Sequence, residues 1–312
     1  MSSGMRASIR RLLAGLALVA TTACSTGDDG SAEPTSTTTV TVQLAELSTT
    51  TSTTIDLFAK PATPTSPAAV AAMVQTRETT IRDPAVVGDA LALAAHEQQV
   101  VYRAWSPHPE WDQRVLAALP RSLHATALAN LKAARRLREL VRTPRSVMPA
   151  WRIVPAKPAD ELRRYYEEGE RAYGIPWQYL AAVNLSETRM GRLRGTSTAG
   201  ARGPMQFIPS TWARYGKGDI ESDRDAILSA ARYLAANGGK RGNMGYALYR
   251  YNPTAKYVDA VTLYAEQMVA DERAYRGYYH WQVYYLTTLG DAWLRVGYSS
   301  PTTRPVTPAD VR

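Results

Sequence analysis

Residues 180–191 read Leu-Ala-Ala-Val-Asn-Leu-Ser-Glu-Thr-Arg-Met-Gly. Pro176 opens a short apolar helix here, expected from Trp177 to about Ser186. Leu180, Asn184 and Glu187 are spaced by four and three, which puts them on one helical face with Leu180 buried. Gly191 cannot lie far inside the helix, so Glu187 is its last or nearly last residue. A carboxylate there meets the negative end of the helix dipole and apolar neighbours. Both disfavour the ionised form and raise the pKa. A carboxyl group still protonated at neutral pH is what a general acid requires. The same position also suits an ordinary exposed glutamate at a helix end.

Helical signals extend on both sides. Asp160 starts a helix through Tyr173, and Gly174 ends it. Asp225 to Ala236 packs Ile227, Leu228, Ala231, Leu234 and Ala235 inward and stops at Asn237-Gly238-Gly239; Val258 to Met268 is a further helix. Upstream, Asp83-Pro84 reads as an N-cap with Pro at the first helical position. Val87, Leu91, Ala94, Ala95, Gln98 and Tyr102 follow at helical steps, and Pro107 and Pro109 break the pattern. A second helix is expected over 123–142. Leu128, Leu131, Ala134, Leu137 and Val141 form its apolar face, and Arg135, Arg136, Arg138 and Arg142 a solvated one. No stretch keeps a period-two alternation, so the class is all-α.

Downstream of Glu187 comes Thr198-Ala-Gly-Ala-Arg-Gly-Pro-Met-Gln-Phe-Ile-Pro-Ser-Thr-Trp212. Gly200 and Gly203 permit tight backbone turns, and Gln206 lies between apolar Met205 and Phe207. Tyr249-Arg-Tyr-Asn-Pro253 adds a second aromatic and amide cluster. Glu187-Thr188, then Gly200-Ala201, Gly203, Met205-Gln206 and Pro209-x-Thr211, then Tyr251-Asn252 resemble, in this order, the soluble lytic transglycosylase family, relatives of goose-type lysozyme. The resemblance covers roughly residues 155–285, and its wider context looks like an actinobacterial lipoprotein branch. Thr188 replaces a Ser, Pro204 replaces a Leu, and Pro253 is a further departure at the groove edge.

The resemblance implies a lysozyme-like catalytic domain and cleavage of peptidoglycan glycan strands, without a cofactor or metal. It makes Glu187 a single acid and base for the bond between MurNAc and GlcNAc. Glu187 would protonate the glycosidic oxygen and then take the proton of the MurNAc 6-hydroxyl as that oxygen attacks C1, leaving a 1,6-anhydro end. Met205, Gln206, Tyr251, Asn252 and Thr198 are the expected substrate-binding residues. Hydrolysis of the same bond usually needs a second carboxylate. The nearest acids, Asp219, Glu221, Asp223 and Asp225, read as a polar turn before a helix. Their alternation hints at a calcium loop, but Arg224 stands where glycine is needed and Ala230 where a bidentate Glu belongs.

The N-terminus has its own signals. Arg6, Arg10 and Arg11 precede the apolar run Leu12 to Ala20, and Thr21-Thr-Ala-Cys24 follows. This is the pattern of an export signal, too short to span a bilayer. A small-residue triplet before Cys24 resembles a bacterial lipobox, which implies lipidation at Cys24 and attachment to the membrane, facing the cell wall. Residues 25–80 are rich in Thr, Ser and Pro and are expected to be a disordered tether. A helical region is expected over 82–150, the catalytic domain over 155–298 and a flexible tail over 299–312.

Composition narrows the classes. Apolar residues make up 45% of 312, enough for a core, so the whole chain is not disordered. The single cysteine excludes a disulfide scaffold, a cysteine-based zinc site and, lying in the signal region, a cysteine protease. No run of eighteen apolar residues follows the first 25, so the chain is not polytopic. The net charge of +9 divides as −1 over residues 1–81, +4 over 82–150 and +6 over 151–312. Such dispersed charge suits an anionic polymer and does not favour nucleic acid. A monomer is expected. The remaining rivals are a hydrolase of the same bond and a non-catalytic wall-binding lipoprotein.

Overall fold

The computed structural model describes residues 56–312 apart from 58 and 142. The export segment, Cys24 and most of the expected tether lie outside these. Among the described residues the chain forms eleven α-helices and three two-stranded antiparallel sheets, so the helical class stands. None of these helices is long and apolar enough to cross a membrane.

The first helix, α1 (Pro67–Arg82), corrects the tether boundary. Pro67, read from sequence as a linker proline, occupies the first helical position, and the Ser66 hydroxyl accepts from the Ala69 amide. The helix buries Val70, Ala71, Val74 and Ile81. Asp83, expected as the next N-cap, instead follows the end of α1, and its Oδ1 accepts from the Ala85 amide in a turn. Helix α2 (Gly88–Trp105) begins four residues later than expected. Then come α3 (Asp112–Ala118) and α4 (Arg121–Arg138), the latter stopping short of 142. Leu128, expected inside, is exposed.

Two short strands, β1 (Val147–Met148) and β2 (Arg152–Ile153), lead to α5 (Ala159–Tyr173). Gly174 ends α5 at φ 70°, the left-handed value expected of a C-cap glycine. Helix α6 (Trp177–Thr188) is apolar nearly all round and is the central rod of the fold. It lies tight on α5: a Cβ at Gly169 would stand 2.7 Å from Leu180 Cδ1. Next, β3 (Leu193–Arg194) pairs with β2, with Leu193 opposite Ile153. Then follow α7 (Pro209–Tyr215), α8 (Asp223–Ala236), α9 (Met244–Tyr251), α10 (Ala255–Ala270) and α11 (Arg273–Tyr279).

The chain closes with a hairpin, β4 (Val283–Thr287) and β5 (Gly290–Leu294), that the sequence pattern does not announce. Its strands are five residues long, and the inner residues of β4 are all half-buried, so polarity does not alternate. The expected flexible tail is also corrected. β6 (Arg304–Pro305) pairs with β1, and Thr307 with Asp310 forms a capping box on the last turn. Lys60 Nζ donates to the Val311 carbonyl at 2.6 Å, joining the two ends of the described chain.

One core runs through both the helical region and the catalytic region. Ile81, Leu91, Ala94, Ala95 and Ala133 belong to the same buried cluster as Leu162, Leu180, Ala230, Val261 and Trp281. Helix α10 packs against both α4 and α6. The helical region before residue 150 is thus part of the body that holds Glu187.

Candidate active site

Glu187 is the penultimate residue of α6, as expected, and half-buried. The backbone turns sharply after it. Arg189 (φ 54°) and Met190 (φ 60°), with Gln206 (φ 49°), are the only non-glycine residues at positive φ among those described. Such conformations cost on the order of 1–3 kcal/mol each and persist where surrounding contacts over-determine them.

Those contacts are a buried polar network. Thr188 Oγ1 donates to the Pro204 carbonyl at 2.6 Å and accepts from the Gly191 amide at 3.0 Å. Asn184 Nδ2 donates to the same carbonyl at 2.9 Å, and Tyr166 Oη donates to Asn184 Oδ1 at 2.7 Å. This network ties the loop around Met205 to the helix that carries Glu187. Gly203 (φ +74°) lets the loop pass another strand of chain: a Cβ there would sit 2.0 Å from the Ile220 carbonyl oxygen.

The expected site residues divide into groups. Met205 is fully buried in the core, so its side chain does not line a groove. Its carbonyl instead accepts from Tyr251 Oη at 2.6 Å. Gln206 is half-buried, and its amide nitrogen donates to the carbonyls of Gly203 (3.0 Å) and Gly195 (3.3 Å). Asn252 is half-buried just past the end of α9. Thr198 is exposed and lines a cavity of about 380 Å³ together with Glu187. The structure therefore brings Glu187 and Thr198 to one cavity. Met205 and Tyr251 are not among the residues that line it, and Gln206 secures its own loop.

The sequence reading missed Tyr257. Its hydroxyl donates to Glu187 Oε1 at 2.6 Å, and its ring stacks on Tyr251 with centroids 6.4 Å apart and planes 3° from parallel. Tyr257 belongs to the first turn of α10, where the Thr254 side chain caps the helix. That Thr-x-x-Tyr cap was a usable signal, but the helix was expected to begin three residues later, just past Tyr257. Burial pushes the Glu187 carboxyl up to about 7, against the opposing pull of the Tyr257 hydrogen bond and the Arg189 charge. Burial, with the nearby Glu187 charge, holds the phenols of Tyr251 and Tyr257 well above their usual range.

The cavity has walls from distant parts of the chain. Arg103, Leu137 and Arg138 come from α2 and α4, Trp151 from the loop before β2, and Tyr284 and Tyr285 from β4. Among the described residues that line it, Glu187 is the only carboxylate. The acids considered for calcium are used locally. Asp225 Oδ2 accepts from the Asp219 amide at 3.0 Å, and Asp219 Oδ1 from the Glu221 amide at 2.9 Å. Ser222 caps α8.

Residues 193–247 match the family model of the transglycosylase SLT domain. The match holds Met205 and Gln206 and begins six residues after Glu187. Two proteins described as membrane-bound lytic murein transglycosylase F are similar over 75 residues. That of Thiobacillus denitrificans is 40% identical, and that of Nitrosospira multiformis 36%. The aligned stretch is 24% of this chain and 16% of each relative. No solved structure matches the chain significantly. The chain is thus similar to lytic transglycosylases across the loop that supports Glu187.

Proposed function

We propose that the protein is a peptidoglycan lytic transglycosylase that cleaves the β-1,4 bond between MurNAc and GlcNAc without water. The observation that carries this reading is the isolation of Glu187. Among the described residues it is the sole carboxylate lining its cavity, it is held near pKa 7, and a phenol touches it. A hydrolase of the usual kind needs a second carboxyl group within about 5–9.5 Å. A single acid must return as the base, and a pKa near neutrality suits both roles.

In this mechanism the protonated carboxyl of Glu187 gives its proton to the glycosidic oxygen, and the bond to C1 breaks. The carboxylate, stabilised by the Tyr257 hydroxyl, then removes the proton of the MurNAc 6-hydroxyl as that oxygen bonds to C1. The products are a 1,6-anhydro end and a free GlcNAc 4-hydroxyl. Thr198, which lines the same cavity, would help orient the sugar. Cys24, outside the described residues, would carry the lipid that holds the protein to the membrane facing the wall.

Mass spectrometry of digested sacculi is the test. Anhydro-muropeptides are the expected products, and reducing ends alone would establish a hydrolase instead. Glu187→Gln, which keeps the shape of the side chain, is expected to bind sacculi and release nothing.

A further inference from the structure

The cavity beside Glu187 has a basic wall, three of whose arginines form no ion pair among the described residues. Arg189 lines it, its Nη1 donating to the Leu185 carbonyl of its own helix. Its Nε is buried without a partner, and so is the hydroxyl of Ser186, which lines the same cavity. Arg138 of α4 and Arg145 of the following loop complete the wall. Among the described residues none of these three arginines has a carboxylate within ion-pair distance. Arg103, the fourth arginine there, is already paired with Asp291 at 2.7 Å and lies over the Tyr284 ring. Burial, with the Arg103 charge adding repulsion, lowers Arg189 to about 10. The neighbouring arginines of α4 behave differently: Arg135 pairs with Asp112 at 2.7 Å and Arg136 with Asp259 at 3.0 Å. Arg138, the arginine of α4 that reaches the cavity, has no such partner among the described residues.

We propose that this wall is a subsite for a carboxylate carried by the lactyl substituent, or by its peptide stem, of the sugar beside the scissile bond. The inference rests on the glycan-cleaving reading and adds to it the part of the substrate that the helices before residue 150 recognise. The chemistry is direct. The buried Nε of Arg189 lacks a partner, which is costly. An arriving carboxylate offsets that cost with charge-assisted hydrogen bonds, and the guanidinium groups of half-buried Arg138 and exposed Arg145 add to them. The Ser186 hydroxyl can donate to the same group. In a muramic acid unit the carboxylate has two sources: the lactyl group itself, or the peptide stem that is amide-linked to it. Both project from the same side of the ring, so a single wall can serve either.

Equilibrium binding tests this without turnover. The full chain carrying Glu187→Gln is titrated calorimetrically with three soluble glycan strands. The first keeps its peptide stems; the second has been stripped of stems, leaving the lactyl carboxylate. In the third, that carboxylate has been converted to an amide. Adding Arg138→Gln and Arg145→Gln is expected to weaken binding of carboxylate-bearing strands about 10-fold or more, the loss of two charged contacts. The amidated strand should bind both proteins equally. A penalty confined to the stemmed strand assigns the wall to stem carboxylates; one that persists on the stripped strand assigns it to the lactyl group. Unchanged affinity for both charged strands overturns the proposal, as does an equal loss on all three, which would mark a structural role. Absence of cleavage by the unmutated chain would refute the transglycosylase reading alone, because the binding comparison does not depend on it.

Discussion

At the residue scale, the proposed chemistry turns on how Glu187 holds its proton. Burial raises it to about 7, and the Tyr257 hydroxyl opposes that rise by favouring the anion. Activity that begins with proton donation should therefore fall as pH rises through about 7. Tyr257→Phe removes the group that stabilises the anion, so the alkaline limb of the kcat/KM profile should move to higher pH. The same variant should lower kcat about 10-fold, because the carboxylate formed on donation loses a charged hydrogen bond. An alkaline limb that stayed in place would separate Tyr257 from the titration. Stability follows with its own sign. The folded chain binds this proton more tightly than the unfolded chain, for which the reference is 4.5. The resulting stabilisation is full below that value and is lost as pH rises through about 7. Glu187→Gln removes the buried ionisation, so it should melt higher than the parent at pH 8 and nearly equally at pH 4. Discounted for partial solvent access, the gain at pH 8 is about 1–2 kcal/mol, or roughly 2–6 °C for a chain of this size.

At the scale of elements, the junction of α6 with the Met205 loop decides whether Glu187 points correctly. Thr188 supplies one donor and one acceptor to that junction while almost fully buried. Thr188→Val keeps the shape and removes both contacts, so it should cost about 1–3 kcal/mol. Thermal melts of the variant check the stability. Activity should fall further than stability predicts, because the strained residues Arg189 and Met190 follow directly. These elements were also the most legible in the sequence. α5, α6, α8 and α10 follow apolar periodicity with capping signals, and tertiary packing only moved their ends. α1 was hidden because Ser66-Pro67 sits at the end of a Thr/Ser/Pro-rich run, where composition speaks for a linker. The β4–β5 hairpin was hidden because its half-buried residues make contacts on both faces. Tyr257 and the basic wall are long-range facts. The first stands 70 residues from Glu187, and Arg103 stands 84 residues before it.

At the scale of the whole molecule, the helices before residue 150 are structural partners of the helices beyond residue 155. A buried acid binds them together. Glu78 in α1 is fully buried; it accepts from Tyr102 Oη of α2 at 2.5 Å and from Asn130 Nδ2 of α4 at 3.0 Å, and it pairs with Arg82. Asn130 in turn accepts from Tyr278 Oη of α11 at 2.5 Å, which carries the network into the helices beyond residue 155. Removing such a charged hub strands its donors and the Arg82 charge, so Glu78→Ala should cost about 3–5 kcal/mol. The same connectivity governs truncation. A fragment spanning 155–312 would expose the faces of α6, α10 and α11 that now meet Ile81, Leu91, Ala94, Ala95 and Ala133. It would also lose Arg103, Leu137 and Arg138 from the cavity wall. We expect that fragment to lack a cooperative melting transition, while residues 56–312 melt as one unit. Calorimetry on the two proteins decides: a cooperative transition in the short fragment would make the N-terminal helices an accessory and return the fold to two independent domains.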